Sequence, residues 1–321
     1  MRSRLALICS TSIALCAIML ALTVSRVGAQ ALDPTADLVR RSALPSQDYP
    51  IITRTVTKTS EIPPNWVPPT ADMLNGVPIN TIIVMPPNVI DNVRMIYARG
   101  QQLGRNPRAF MKIGDSTIEY PYFFINFDQK RYKLGVYNYL QATIDHFAGY
   151  FGRRSAAVKT GQHSWTVMNS AWVNRSECKP KESPVACELR LANPIVALIR
   201  LGPNDAGDIK LFEKNFRPLI EYLIDQGVIP ILSTKADRQK GMIDVNNLMR
   251  QWAAEYQIPL WDLDVVMEGM PARGLWRDGV HMTNFAPMDF NDPIAYQRGH
   301  AMQNLTALMA LDAVRRVVMS P

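Results

Sequence analysis

Four side chains in three short segments could together carry out acyl transfer. Ser116, in the segment Gly114-Asp115-Ser116, offers a hydroxyl nucleophile, and Asn204, in Gly202-Pro203-Asn204-Asp205, offers an uncharged amide donor. Asp278 and His281 lie three residues apart, so the carboxylate can hold the Nδ1–H of the imidazole and leave Nε2 free to accept the serine proton. A nucleophile, a base, an orienting acid and an oxyanion donor are the groups that acyl transfer needs.

Each segment also has an interpretation without chemistry. Ser and Asp commonly cap helices, as Ser116 could, and Asn204 could bond its own backbone in a turn. His281 could be a surface histidine with an acidic neighbour. The combination is harder to explain this way, because the segments follow one another in the loops of a single α/β pattern. The sequence therefore favours a serine hydrolase.

The elements that must position these side chains alternate along the chain. Short apolar runs separate longer amphipathic stretches, which indicates a parallel sheet covered by helices on both faces. The predicted strands are Ala109–Ile113, Ala156–Lys159, Ile195–Leu201, Val228–Ser233 and Ile258–Trp261. The predicted helices include Val136–Phe147, Leu211–Gln226, Val245–Tyr256 and Ile294–Val318, and the last is expected to pack against an outer face. Ser116 and Asn204 follow the first and third strands, where such a fold presents its loops to a common crevice.

These residues give the chain a resemblance to the SGNH hydrolases, also called the GDSL family, over about residues 105–310. The four matching blocks are Gly114-Asp115-Ser116, Gly161 in Lys159-Thr160-Gly161-Gln162, Gly202-Pro203-Asn204-Asp205 and Asp278-Gly279-Val280-His281. The resemblance implies a three-layer α/β/α fold with a five-stranded parallel sheet. It also implies that Ser116 is the nucleophile, that His281 is the general base oriented by Asp278, and that Ser116, Gly161 and Asn204 form the oxyanion hole.

The chain departs from the family directly after the nucleophile. Where the family usually has Leu and small polar residues, this sequence reads Thr117-Ile118-Glu119-Tyr120. The sequence therefore leaves the substrate side of the first block undefined.

The N-terminus has the pattern of an export signal. Arginines at positions 2 and 4 precede a mostly apolar run from Leu5 to Val24, and Val27-Gly28-Ala29 provides the small residues that a signal peptidase recognises. Residues 1–29 are predicted to be a cleaved signal peptide, and the alternative is an uncleaved N-terminal membrane anchor. Residues 30–85 are rich in proline and polar residues and are interpreted as a linker or extended arm, which leaves 86–321 as the hydrolase-like domain.

Charge and cysteine content limit the partners of the protein. The net charge of +7 comes from scattered residues without aromatic interleaving, which argues against nucleic-acid binding and supports at most attraction to an anionic cell surface. Only Cys178 and Cys187 remain after signal cleavage, and in an exported chain they are predicted to form a disulfide. No histidine pair has metal-ligand spacing, so no metal site is expected.

The sequence thus predicts an exported esterase acting on O-acyl, including O-acetyl, esters of carbohydrates or small molecules. Water would resolve the acyl-enzyme, and the reaction needs neither a metal nor an organic cofactor. Two alternatives remain open. The same residues could transfer the acyl group to a sugar hydroxyl, or the scaffold could be a catalytically silent binding module at the cell surface.

Overall fold

The computed structural model describes residues 68–119 and 121–319, so the predicted signal peptide and residues 30–67 lie outside the described part. The strands are β1 Met73–Leu74, β2 Val77–Pro78, β3 Ile83–Val84, β4 Asn106–Gly114, β5 Tyr132–Lys133, β6 Pro194–Arg200, β7 Ile229–Ser233, β8 Leu260–Trp261 and β9 Met288–Asp289. The α-helices are α1 Ile79–Ile82, α2 Pro87–Gln102, α3 Ile125–Asp128, α4 Gln141–His146, α5 Ser164–Val167, α6 Pro184–Ala192, α7 Ile209–Asp225, α8 Met242–Glu255, α9 Leu263–Glu268 and α10 Gly299–Met319. Short 3₁₀ helices span Ser116–Ile118, Gly135–Leu140, Ser170–Trp172, Pro271–Gly274 and Pro293–Gln297.

A five-stranded sheet flanked by helices forms the centre of the fold, which confirms the predicted fold class. The strand order is β3-β8-β7-β6-β4. The four strands from β8 to β4 are parallel, whereas β3 pairs antiparallel with β8 at the edge. The prediction that all five strands are parallel is therefore corrected at this edge.

The second predicted strand, Ala156–Lys159, is not a sheet strand. Among the described residues, its one bridge joins Val158 to Gly114, at the end of β4. The hydroxyl of Ser155 donates to the carbonyl of Lys112 at 2.6 Å, and Gly161 turns the chain away with a φ of 73°. The Ser155 side chain before the bridge and the Gly161 turn after it thus take the place of the backbone hydrogen bonds that would extend the pairing with β4.

The described part of the predicted arm belongs to the folded domain. Residues 73–84 form β1, β2, α1 and β3, and β3 supplies the fifth strand of the central sheet. Leu74 and Ile82 are fully buried in the core. Two-residue strands give too short an apolar alternation to stand out in a proline-rich sequence, which is why the sequence was interpreted as a linker or extended arm over residues 30–85.

Buried apolar faces hold the layers together. All seven residues of β6 are buried, as expected for a strand with sheet on both sides and helices above and below. Helix α7 buries Phe212, Phe216, Ile220 and Leu223 at three- and four-residue spacing, so one stripe faces the core. Helices α7 and α8 pack on β7, while α10 packs on α2 and on the β3–β8 edge.

Helix α10 packs against the β3–β8 edge of the sheet and is buried nearly all round. Fifteen of its residues are buried, including the polar Gln303, Asn304 and Asp312. Those polar groups have partners: Gln303 donates to the carbonyl of Thr117 at 2.9 Å, and Asp312 accepts from Thr143 at 2.6 Å. These hydrogen bonds offset part of the cost of burying polar groups, although the Gln303 Oε1 has no hydrogen-bond partner among the described residues. The sequence alone does not reveal these bonds.

The predicted disulfide between Cys178 and Cys187 is confirmed. It joins the loop after the Ser170–Trp172 turn to helix α6, with the two Cα atoms 5.3 Å apart. Among the helices within residues 68–119 and 121–319, none combines the length and the apolar character needed to cross a membrane.

Candidate active site

The nucleophile candidate Ser116 begins a single 3₁₀ turn directly after β4. Gly114 ends that strand, and a Cβ there would lie 2.4 Å from Ile118 and 2.8 Å from the carbonyl oxygen of Arg200 on β6. Only glycine allows this close approach. The turn can therefore fold back over the carboxyl end of the sheet with Ser116 partly exposed.

A buried ion pair supports the turn from below. Asp115 accepts hydrogen bonds from the amide of Thr117 at 2.9 Å and from its hydroxyl at 2.7 Å. The Nζ of Lys235 lies 2.5 Å from the other Asp115 oxygen, and both side chains are only 1% exposed. Burial by itself would raise the pKa of Asp115, but Lys235 and the Thr117 bonds outweigh it and hold that pKa below its ordinary value.

Arg200 and Asp237 complete a buried cluster of four charged groups. Arg200 donates to the Thr117 hydroxyl at 3.3 Å and packs over the ring of Trp261 at 5.4 Å. Burial lowers the pKa of Arg200 to about 10 and raises that of Asp237. Two basic and two acidic side chains thus balance one another beneath the Ser116 turn.

His281 connects Ser116 with Asp278. Its Nε2 lies 2.9 Å from the Ser116 Oγ, and its Nδ1 lies 2.8 Å from an Asp278 carboxylate oxygen. The loop that carries them is closed by an antiparallel bridge between Leu275 and Met282 and by the bond from the Trp276 amide to the His281 carbonyl at 2.7 Å. Local backbone pairing therefore fixes the histidine side chain opposite the serine.

The Asp278 carboxylate is held in its ionised, imidazole-facing form. Its second oxygen accepts from the amides of Val280 at 2.9 Å and His281 at 3.0 Å. Partial burial raises its pKa, but the two amide bonds and the imidazole together outweigh burial, so the pKa of Asp278 lies below its ordinary value. The carboxylate can accordingly stabilise an imidazolium without taking its proton.

Gly161 and Asn204 meet at the same edge. The Lys159 amide donates to the Gly114 carbonyl at 3.2 Å, which brings the Gly161 turn beside Ser116. The Asn204 Nδ2 donates to the carbonyl of Gln162 at 3.0 Å, so one of its two N–H groups is used there. Within residues 68–119 and 121–319, neither the Ser116 nor the Gly161 amide has a hydrogen-bond partner.

Asp205 ties the Gly161 loop to the Asn204 loop. Both of its oxygens accept from the Ser164 amide, and one accepts from the Ser164 hydroxyl at 2.8 Å. Burial raises the pKa of Asp205 against the lowering effect of those bonds and of His163, whose Nδ1 is 3.7 Å away. The last residue of the Gly202–Asp205 segment is thus an anchor between two loops.

The structure describes three of the four residues that depart from the family pattern after Ser116, and the fourth, Tyr120, lies outside the described residues. Thr117 and Ile118 are buried and face the charged cluster and Gly114, so they do not line a substrate surface. Glu119 lies at the rim and accepts a hydrogen bond from the Thr160 hydroxyl. The supporting residues Lys235, Arg200 and Gln303 had no signal in the sequence, because each meets the Ser116 turn only through long-range packing.

The Ser116 Oγ and the His281 Nε2 are close enough for a proton to pass from the hydroxyl to the imidazole. Among the described residues, Cys178, Glu182 and Cys187 form the single group of three potential metal-ligand side chains that lie close together. Two of those three are joined in the disulfide and cannot coordinate an ion.

Comparisons with known proteins give only distant likenesses. No protein-family model and no curated protein matches the chain. Among solved structures, a protein assigned to the lipolytic G-D-S-L family from Desulfitobacterium hafniense is 15% identical, with a TM-score of 0.40, over 63% of this chain and 98% of that one. A GDSL-like lipase from Bacteroides thetaiotaomicron is 14% identical, with a TM-score of 0.38, over 71% and 98%. An acetylxylan esterase from Geobacillus stearothermophilus is 16% identical, with a TM-score of 0.40, over 63% and 93%.

Proposed function

We propose that this protein is a serine ester hydrolase of the SGNH type that removes O-acyl groups, including O-acetyl groups, from carbohydrates or small molecules. The observation that carries the proposal is the continuous relay from Ser116 Oγ through His281 to Asp278, with heavy-atom distances of 2.9 and 2.8 Å. Both distances are those of good hydrogen bonds between a nucleophile, its base and an orienting acid.

In the first half-reaction, Ser116 Oγ attacks the ester carbonyl carbon while His281 Nε2 takes the hydroxyl proton. The negative charge that develops on the carbonyl oxygen is received by the amides of Ser116 and Gly161 and by the remaining N–H of Asn204. The tetrahedral intermediate then collapses. The bond to the leaving alcohol breaks, and His281 returns the proton to that alcohol, which leaves an acyl-serine.

In the second half-reaction, His281 takes a proton from water, and the resulting hydroxide attacks the acyl-serine carbonyl. Collapse releases the carboxylic acid and restores the Ser116 hydroxyl. A sugar hydroxyl in place of the water would give acyl transfer, and the ratio of the two products measures this partition directly.

Steady-state hydrolysis of p-nitrophenyl acetate by purified variants tests the proposal. Ser116→Ala and His281→Ala are each expected to remove most turnover, and the double variant should be no worse than either, because the two residues act as a unit. The matched control is Ser155→Ala, which removes a hydroxyl that bonds Lys112, Ala157 and Glu188 and none of the proposed catalytic residues. Full activity in folded Ser116→Ala would show that the nucleophile lies elsewhere.

We also propose that the protein is exported. The disulfide between Cys178 and Cys187 supports an oxidising compartment, and the N-terminal pattern supports passage across a membrane. Mass spectrometry of protein recovered outside the cytoplasm should find a chain that begins near Gln30. An intact N-terminus in the membrane fraction would instead indicate an anchor.

A further inference from the structure

Two indole–cation pairs lie on the two loops that meet at the Ser116–His281 bond. On the Gly161 loop, the Lys159 Nζ lies over the Trp172 ring at 5.9 Å. On the His281 loop, the Arg277 guanidinium lies over the Trp276 ring, also at 5.9 Å. Each nucleophile-facing loop therefore presents the same combination of a flat aromatic ring and a positive charge.

Both pairs are tied by backbone bonds to the candidate active site. The Lys159 amide donates to Gly114, two residues before Ser116, and the Trp276 amide donates to His281 itself. The Lys159 side chain thus connects Trp172 to the backbone beside the nucleophile, with its Nζ 5.9 Å from the centre of the Trp172 ring. A chain molecule that placed one ester at Ser116 could reach both pairs.

The two cations are available to a ligand. Lys159 and Arg277 are exposed, and neither has an acidic partner in the part of the chain that the structure describes. Trp172 is 42% exposed and meets Trp165 in a T-shaped arrangement with ring centroids 5.3 Å apart. An indole ring combines a large apolar surface with a polar N–H and can contact a ligand that is partly apolar and partly polar.

The loop that carries Trp172 is held rigidly. Asp205 binds Ser164, next to Trp165, and the disulfide follows six residues after Trp172. Fixing these rings before binding lowers the ordering cost when a ligand arrives. These two ties restrict the movement of the segment that carries Trp165 and Trp172 before a ligand binds.

We infer that the site takes its ester on an acidic polysaccharide, with pyranose rings stacked on Trp172 and Trp276 and sugar carboxylates paired with Lys159 and Arg277. This inference rests on the proposed function and names its substrate class. The C–H face of a pyranose fits the electron-rich face of an indole, while an adjacent carboxylate satisfies an unpaired cation. An alkyl chain would leave both charges without partners.

The test compares three substrates: O-acetylated pectic polygalacturonate, O-acetylated xylan and p-nitrophenyl acetate. The measured quantity is kcat/KM on each polymer divided by kcat/KM on the small ester. We expect this ratio for the acidic polymer to fall about tenfold in Trp172→Ala, and several-fold in Lys159→Met and Arg277→Met. We also expect added salt to lower the ratio for the acidic polymer and not for acetylated xylan.

Tyr139→Ala is the matched control. Tyr139 is also exposed, and the Arg316 guanidinium lies over its ring at 5.9 Å. Arg316 is near the end of α10, about 25 Å along the helix from its first residues, which contact the His281 loop. Its ratio should equal that of the unmodified protein.

A binding measurement separates this inference from the proposed function. Ser116→Ala protein should be retarded in gels containing de-esterified polygalacturonate, and Trp172→Ala should abolish that retardation. Equal retardation of the two proteins, or unchanged ratios in Trp172→Ala and Arg277→Met, would overturn the inference and leave the hydrolase intact. The inference would also be overturned by a higher kcat/KM ratio for acetylated xylan that stays the same in Lys159→Met and Arg277→Met.

Discussion

Replacing Lys235 by methionine should destabilise the protein and misplace Ser116. The change removes the ammonium group that lies 2.5 Å from Asp115 and 3.1 Å from the Thr117 hydroxyl, in a site where both charged side chains are 1% exposed. Breaking one partner from a buried ion pair costs about 3–5 kcal/mol, because the remaining charge is left without compensation. The shift of the turn should also lower kcat about 10²-fold, as expected when a nucleophile is displaced by about 1 Å.

The charges of the whole cluster make the double variant informative. Lys235→Met leaves two acids, Asp115 and Asp237, against Arg200 alone, whereas Asp115→Asn leaves two cations against Asp237. The combined Asp115→Asn/Lys235→Met variant restores the balance. We expect it to be at least about 2 kcal/mol more stable than the sum of the single losses predicts.

Urea denaturation followed by tryptophan fluorescence measures these free energies of unfolding, and p-nitrophenyl acetate hydrolysis measures kcat. Lys235→Arg should keep more of both quantities than Lys235→Met, since it keeps the charge. Additive losses in the double variant, or a Lys235→Met protein with native stability and kcat, would refute the claim that this ion pair holds the Ser116 turn.

Three further changes have defined outcomes. Asn204→Ala should lower kcat about 10²–10³-fold with little change in KM, because the bond to the oxyanion strengthens only in the transition state. An unchanged kcat in folded protein would assign Asn204 to the turn alone. Burial lowers the pKa of Lys112 from 10.5 to about 8, so between these pH values the unfolded chain binds more protons than the folded one. The free energy of unfolding should therefore rise by about 3 kcal/mol as the pH increases across this range. Urea denaturation should show no such rise in Lys112→Met. The double variant Cys178→Ser/Cys187→Ser should have a free energy of unfolding about 2–4 kcal/mol lower in the same assay. Reducing the unmodified protein with dithiothreitol should give a similar loss. Native stability without the disulfide would contradict a structural role for it.

The fold class and the relay were predictable because they depend on local signals. Buried strands such as Ile195–Leu201 read as continuous apolar runs, and the short separation of Asp278 and His281 is visible without a structure. The strand pattern also predicted that Ser116 and Asn204 follow strands, and they follow β4 and β6, whereas Gly161 follows a segment that is not a sheet strand.

The supporting residues were not predictable because their partners are far away in sequence. Lys235 meets Asp115 across 120 positions, and Gln303 meets Thr117 across 186. The edge strand β3 has two residues, too few to give an alternating pattern, while Ala156–Lys159 has a strand-like composition that Ser155 interrupts with its bond to Lys112. Whether a carbonyl such as that of Lys112 accepts from a side chain or from the backbone of a neighbouring strand depends on packing and not on composition.

Covalent labelling by a fluorophosphonate tests the central claim most directly, because only a serine activated by a base reacts at a useful rate. We expect the unmodified protein to gain one label, which peptide mass spectrometry assigns to Ser116. Labelling should be greatly slowed in His281→Ala and lost in Ser116→Ala. A folded, unmodified protein that takes up no label, or takes it up on a different serine, would contradict the account.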